Sequence, residues 1–234
     1  MTTQTTTHQR PRAGRRAALA VALLAATPSL ASAQTSPGPD DDTLSIPTFR
    51  LSLRGQFGFV ENEDWQAVGE DRMMGGGEIG LDAQVGEHLS LGVAYAGRAL
   101  NGRTYGALEG TLGGQAVRVQ AGWRWHPSRV VTLYGRAGVG AWFWDLEWTR
   151  DDGETAVRSE RFRPGFFGGV CADVYFVGPG GPESGDFAQR FALGANVELT
   201  YDRFLPLEFS RDGRSLGTVD LSGPGFLVGF VAQF

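Results

Sequence analysis

Apolar and polar residues alternate one by one along most of the chain from Phe49 to the C-terminus. In the first such segment Leu51 and Leu53 fall on one face, and Arg50 and Arg54 fall on the other. A period of two is expected for a β-strand, because successive side chains point to opposite faces. The pattern recurs eight times, at residues 49–59, 79–85, 89–95, 117–125, 131–141, 166–176, 191–199 and 226–234. The sequence therefore predicts an all-β fold with eight strands.

The joints between these segments alternate in length. Long joints are expected at 61–73, 100–112, 148–163 and 202–217, and short ones at 86–88 and 126–129, with an intermediate, turn-rich joint at 178–186. Transmembrane barrels have short turns at one end, longer loops at the other and an even number of strands. The joints therefore predict an antiparallel up-and-down β-barrel with both ends of the chain on the short-turn, periplasmic side.

The N-terminal part has the composition of a secretory signal peptide. Four arginines between positions 10 and 16 precede an apolar stretch at 17–26, and the small residues Ala31 and Ala33 stand before Gln34. This arrangement is typical of a cleaved export signal, although an uncleaved interfacial anchor stays an alternative. We expect residues 1–33 to be the signal peptide, 34–46 a periplasmic linker rich in Pro, Ser, Thr and Asp, and 47–234 the barrel domain.

Charged residues on the polar face distinguish a membrane barrel from a soluble one. A soluble barrel also alternates, but its apolar face packs inside. Here the polar face carries arginines and acids interspersed with glycine, which can fill the narrow interior of eight strands by pairing across it. We expect a transmembrane barrel with a polar interior and a lipid-facing apolar exterior. The predicted interior charge network is Arg50, Arg54, Glu78, Asp82, Arg98, Arg118, Arg124, Arg136, Asp173, Arg190 and Glu198.

Aromatic residues gather near the predicted strand ends, as they do where a barrel crosses the two membrane interfaces. The inner group is Phe49, Trp123, Trp125, Phe176 and Phe187, and the outer group is Phe59, Phe143 and Tyr201.

Residues 225–234, GFLVGFVAQF, resemble the C-terminal assembly signal of bacterial outer-membrane β-barrel proteins. Alternate apolar positions leading to a final Phe are matched by Phe226, Val228, Phe230, Ala232 and Phe234, although an aromatic residue is more common at the position of Ala232. The chain is similar in strand count to small OmpA/OmpX-like or OmpW-like barrels. The resemblance implies a place in the cell outer membrane of a Gram-negative bacterium, contact with lipid and lipopolysaccharide, and insertion by the barrel assembly machinery. We expect a monomer.

Composition adds three limits. The 35 glycines and the lack of a long apolar run favour strands and tight turns over a membrane-spanning helix. Removing the four arginines of the signal peptide leaves 17 basic against 26 acidic residues, a net charge of −9 that gives no support to nucleic-acid binding. Cys171 is the single cysteine, so an intramolecular disulfide and a multi-thiolate metal site are excluded.

The sequence predicts no catalytic residue, cofactor or metal site. Barrel enzymes that modify lipid A commonly use a histidine near the external rim, as the resemblance implies, whereas His88 and His126 fall in short turns at the opposite end. Acidic residues in the long joints offer a weak alternative as a cation site. They are Glu61, Glu63, Asp64, Asp151, Asp152, Glu154 and Asp212.

Three functions remain open. We expect a non-enzymatic envelope protein that displays four extracellular loops for envelope structure, adhesion or binding. The alternative is a narrow pore or a barrel that transports a small molecule. A lipid A-modifying enzyme is a weaker hypothesis, which a serine close to a carboxylate at the outer rim would favour.

Overall fold

The computed structural model describes residues 49–61, 72–86, 88–104, 108–128, 130–150, 155–177, 191–211 and 214–234. The predicted signal peptide, the linker, Phe187 and Arg190 lie outside these ranges. The described strands are β1 (Phe49–Phe59), β2 (Met73–Gln84), β3 (Leu89–Thr104), β4 (Leu108–Ser128), β5 (Val131–Arg150), β6 (Thr155–Val177), β7 (Ala192–Phe204), β8 (Leu207–Arg211), β9 (Arg214–Val219) and β10 (Gly223–Gln233).

Eight of these strands form a closed antiparallel barrel in the order β1-β10-β7-β6-β5-β4-β3-β2, which confirms the predicted fold class. The barrel closes where β1 pairs with β10, with Arg50 opposite Gln233. Just beyond, the amide of Phe49 donates to the carbonyl of Phe234 at 2.9 Å, and the amide of Phe234 donates to Phe49 at 3.1 Å. We call this end of the barrel the terminal end and the opposite end the hairpin end.

Strands β4, β5 and β6 contain 21, 20 and 23 residues, about twice the 9–11 that a tilted strand needs to cross a membrane. The joint predicted at 100–112 is largely strand, because β3 pairs with β4 as far as Thr104 and Leu108. The joint predicted at 148–163 is also largely strand, because β5 pairs with β6 as far as Thr149 and Thr155. The predicted turn at 126–129 is also shorter, since β4 continues to Ser128. On β5 and β6 the outward apolar residues end at Phe143 and Phe162, whereas the backbone pairing continues beyond them.

The connection between β7 and β10 forms its own small sheet. Within the joint predicted at 202–217, β8 pairs with β9 as a hairpin. Leu207 and Phe209 of this hairpin are buried, and Glu208 between them is exposed. The hairpin therefore has an apolar face, which packs into the barrel as described below.

The outer wall of the barrel is apolar. Phe143 and Phe162 expose about half of their surface, at 55% and 51%, and their rings lie 5.2 Å apart on β5 and β6. The next outward positions toward the hairpin end are Asp145 and Glu160. The aromatic pair therefore marks one edge of the apolar band, as a membrane interface requires. Among the described residues, no helix is long and apolar enough to cross a membrane.

Candidate functional sites inside the barrel

The structure places ten of the eleven predicted network residues inside the barrel, and none of the ten exposes more than 5% of its surface. They come from β1 to β7 and lie in the middle of the barrel and toward the terminal end. Arg190 lies outside the described residues. The inward positions in this region are thus charged, while Leu53, Val119 and Phe230 on the outer wall are more than half exposed.

Glu78 is the centre of the network, because three arginines contact its carboxylate. Arg54 and Arg118 each donate a hydrogen bond to it, and Arg136 lies at 3.2 Å. Arg54 and Arg136 also bind Glu198, at 2.8 and 2.7 Å. Each of these carboxylates is therefore shared between arginines from different strands, which ties β1, β2, β4, β5 and β7 together across the lumen.

A second group lies closer to the terminal end. Arg50 binds Asp173 at 2.8 Å and Asp82 at 3.1 Å. Asn196 donates to Asp173, and Tyr175 donates to the same carboxylate at 3.1 Å. Asn196 also lies 2.7 Å from the sulfur of Cys171, so the single cysteine is buried in this polar cluster.

Asp202 belongs to the network although the sequence did not predict it. It binds Arg98 and Arg118, and it is 2% exposed. Asp202 falls in the joint predicted at 202–217, but β7 extends to Phe204 and the alternation continues through it. Gln120 links the two groups, since it donates to Asp82 and accepts from Arg136, both at 2.6 Å.

The hairpin end of the interior is apolar, a layer that the alternation did not predict. The rings of Trp142 and Trp144 stack at 5.1 Å, and Phe204 meets both edge-on. The full apolar cluster is Val60, Met74, Ala96, Leu100, Leu112, Ala116, Trp142, Trp144, Leu146, Phe204, Leu207, Phe209, Val219 and Leu221. The lumen therefore holds a charged layer and an apolar layer, one above the other.

Aromatic rings join the two layers. The guanidinium of Arg118 lies 3.8 Å from the ring centroid of Phe167, and Arg136 lies over the same ring at 5.2 Å. Arg98 and Arg118 also lie over Trp142, at 5.1 and 5.7 Å. These distances are typical of cation–π contacts. The arginines of the charged layer that lie nearest the hairpin end therefore contact carboxylates on one side and aromatic rings on the other.

Two arginines of β6 hold the β8–β9 hairpin in the mouth of the barrel. Arg163 donates to the carbonyl of Pro206 at 3.1 Å, and Arg161 donates to the carbonyl of Glu208 at 2.8 Å. Leu207 lies between these two carbonyls in the sequence and is fully buried in the apolar layer. The hairpin is therefore fixed by its backbone to β6 and by its side chains to the interior.

Comparisons with known proteins found solved structures of similar fold, but no match in sequence. No protein-family model matches the chain, and no curated protein matches it. Ail, the attachment invasion locus protein of Yersinia pestis, matches 81% of this chain and 99% of its own, at 11% identity and a TM-score of 0.46. OprG from Pseudomonas aeruginosa matches 81% and 96%, at 9% identity and 0.46. Neisserial surface protein A matches 79% and 96%, at 14% identity and 0.44.

The chain has the architecture of a small eight-stranded outer-membrane β-barrel. Its own strand pairing closes the barrel. Charged side chains are buried inside it and apolar side chains are exposed on its wall, which is the opposite of the arrangement in a soluble barrel. The barrel's exterior also carries the predicted aromatic residues that the structure describes: Phe59, Trp123, Trp125, Phe143, Phe176 and Tyr201 are exposed, and Phe49 is partly exposed.

Among the described residues, Ser222 and Asp220 form a serine–carboxylate pair at the hairpin end. The hydroxyl of Ser222 donates to Asp220 at 2.5 Å, but it also accepts from the amide of Phe204 at 2.9 Å and is 3% exposed. These hydrogen bonds tie the end of β7 to the segment just before β10. His88 and His126 lie at the terminal end, far along the barrel from this pair.

Charged residues continue on the outer surface beyond the aromatic pair. Arg158 binds Asp145 at 2.8 Å and lies 3.7 Å from Glu160. The hydrogen bond to Asp145 raises the pKa of Arg158 above its usual value. Exposed pairs of this kind contribute little to stability, so they mark a solvated surface. Among the described residues, no group of three or more His, Cys, Asp and Glu side chains is placed to hold a metal ion.

Proposed function

We propose that this chain is a non-enzymatic integral protein of a Gram-negative outer membrane, whose closed barrel anchors structured hairpins on the cell surface. In this proposal the terminal end faces the periplasm and the hairpin end faces the outside. The extended arms of β3–β4 and β5–β6, together with the β8–β9 hairpin, then form the exposed part. Their role is envelope structure, adhesion or binding.

The filled lumen is the observation that carries this proposal. Arg54, Arg118 and Arg136 reach Glu78 from different strands, so the charged layer crosses the whole interior. Above it, Trp142 and Trp144 fill the apolar layer, and the hairpin covers them. The interior of an eight-stranded barrel is just wide enough for side chains to fill it or for one small ligand, and not for a wide water-filled channel. A lumen filled in this way favours an anchor over an aqueous channel.

The second observation in support is that paired strands extend beyond the membrane interface at the hairpin end. Strands β5 and β6 pair from Val131–Val174 to Thr149–Thr155, well beyond the aromatic pair Phe143–Phe162. A paired hairpin that extends above the membrane presents a defined surface to a partner, since its backbone is already ordered before binding.

Single-channel recording tests the proposal against the narrow-pore alternative. The refolded mature chain is inserted into a planar bilayer after a heat-dependent gel shift confirms that it is folded, and a 16-stranded porin serves as the positive control. We expect no steady openings. Reproducible openings from the folded barrel would contradict the closed anchor and favour a pore whose selectivity depends on the arginines of the charged layer.

A further inference from the structure

In the described part of the chain, the charged layer contains one more arginine than it has carboxylates. Among the described residues, the buried charged side chains are six arginines and five carboxylates. All five carboxylates and five of the arginines take part in the ion pairs described above. The remaining cation is Arg124 on β4.

Arg124 is buried without a hydrogen-bond partner. It is 1% exposed, and none of its three guanidinium nitrogens has a partner among the described residues. Its position on β4 is opposite Tyr134 of β5, whose ring is already covered by Arg50 at 4.7 Å. Arginine keeps its charge even when it is buried. A buried guanidinium with no carboxylate within ion-pair distance and no hydrogen-bond acceptor is strongly unfavourable, so we expect Arg124 to bind a counter-ion.

A second donor lies beside Arg124 along β4. The register between β4 and β5 shifts between Trp125 and Ser128, which places His126 at an irregularity in the strand. The Nδ1 atom of His126 lies 2.9 Å from the hydroxyl of Thr132, and its Nε2 atom is buried with no partner among the described residues. If Thr132 donates to Nδ1, then Nε2 carries the proton and is a donor.

The geometry points to an anion-binding site at the terminal end of the barrel interior, with the guanidinium of Arg124 as its main ligand and His126 as a second donor. The ligand class is a small oxyanion such as phosphate or a phosphate monoester, because a planar guanidinium binds two oxygens of such a group at once. The bound anion supplies negative charge beside the one buried arginine that has no carboxylate partner among the described residues. This site does not depend on the proposed function, since it requires only the folded barrel.

Thermal unfolding of the refolded mature chain in inorganic phosphate tests the site, with sodium chloride at equal ionic strength as the reference. A ligand that binds only the folded state raises the unfolding temperature in a saturable way. We expect this rise for the wild type and for Arg203→Gln, which removes an equal charge from an exposed position. For Arg124→Gln we expect at least a tenfold loss in the apparent affinity for phosphate.

The same two variants give a second readout without phosphate. Removing an uncompensated buried charge is expected to leave Arg124→Gln at least as stable as the wild type in low-salt buffer. Lower stability, or a failure of this variant to fold, would show that Arg124 pairs with an acid of the chain itself and would overturn the proposal. An equal phosphate response in Arg124→Gln and the wild type would overturn it as well, as would a wild-type response no larger than that to chloride.

Discussion

Glycines inside the barrel make room for the large rings of the apolar layer. A Cβ atom built on Gly165 would lie 2.9 Å from the ring of Phe204 and 3.2 Å from Trp142. Gly168, three residues further along β6, faces the outer wall, and its nearest neighbour would be the carbonyl of Arg136 at 3.8 Å. The two positions therefore differ in packing although they share a strand.

We expect Gly165→Val to destabilise the barrel by about 1–3 kcal/mol, because the added methyl groups overlap rings that have no free space to move into. The measurement is the urea midpoint of unfolding in detergent micelles or vesicles. Gly168→Val is the matched control, and we expect it to change stability by less than about 0.5 kcal/mol. Equal loss in both variants would mean that strand propensity, rather than interior packing, determines the effect.

In the apolar layer, the residue pattern does not predict which side chains of β5 point into the barrel. Residues 141–144 read Ala-Trp-Phe-Trp, so both faces of β5 are apolar and alternation cannot assign a side. Trp144 lies opposite Gly114 of β4, and the missing side chain of this glycine leaves space for the indole ring. A contact between a glycine and a ring on the next strand depends on register, which the sequence pattern does not contain.

At the scale of strands, alternation was enough to predict the eight barrel strands and the face of each network residue that the structure describes. Asp202 could have been included by continuing the inward positions Asn196 and Glu198 along β7. The β8–β9 hairpin could not have been predicted in the same way, because its strands contain five and six residues and follow Pro206. Their apolar positions are too few to separate a strand from a loop.

The last strand gives a prediction at this scale. Phe234 pairs with Phe49 through the backbone, and their rings stack at 6.1 Å across the closing seam. We expect Phe234→Ala to lower the amount of heat-modifiable barrel in the outer membrane several-fold, because both the seam contact and the C-terminal ring that resembles an assembly signal are lost.

The control for this prediction is Phe176→Ala, which also removes an exposed ring at the terminal end. Phe176 lies on β6, which takes no part in the closing seam. We expect near-normal assembly of this variant. Normal levels of folded Phe234→Ala would contradict the assigned role of the C-terminal residue, and an equal fall in both variants would attribute the effect to interfacial aromatic residues in general.

For the whole molecule, the orientation in the membrane is the prediction with the widest consequence. Glu208 is exposed on the hairpin at one end, and Pro127 is exposed near the turn after β4 at the other. We expect a membrane-impermeant maleimide to label Glu208→Cys on intact cells and to label Pro127→Cys only after the outer membrane is opened. Cys171 is buried, so the parent chain is expected to stay unlabelled. The reverse pattern would place the chain termini outside.

The pairing of β1 with β10 joins residues from opposite ends of the barrel sequence, Arg50 with Gln233. A chain that stops before β10 would leave β1 and β7 as open edges, each with a row of unpaired amides and carbonyls that hydrocarbon cannot solvate. We therefore expect such incomplete chains to insert poorly into lipid, because closure of the seam requires both the first and the last barrel strand.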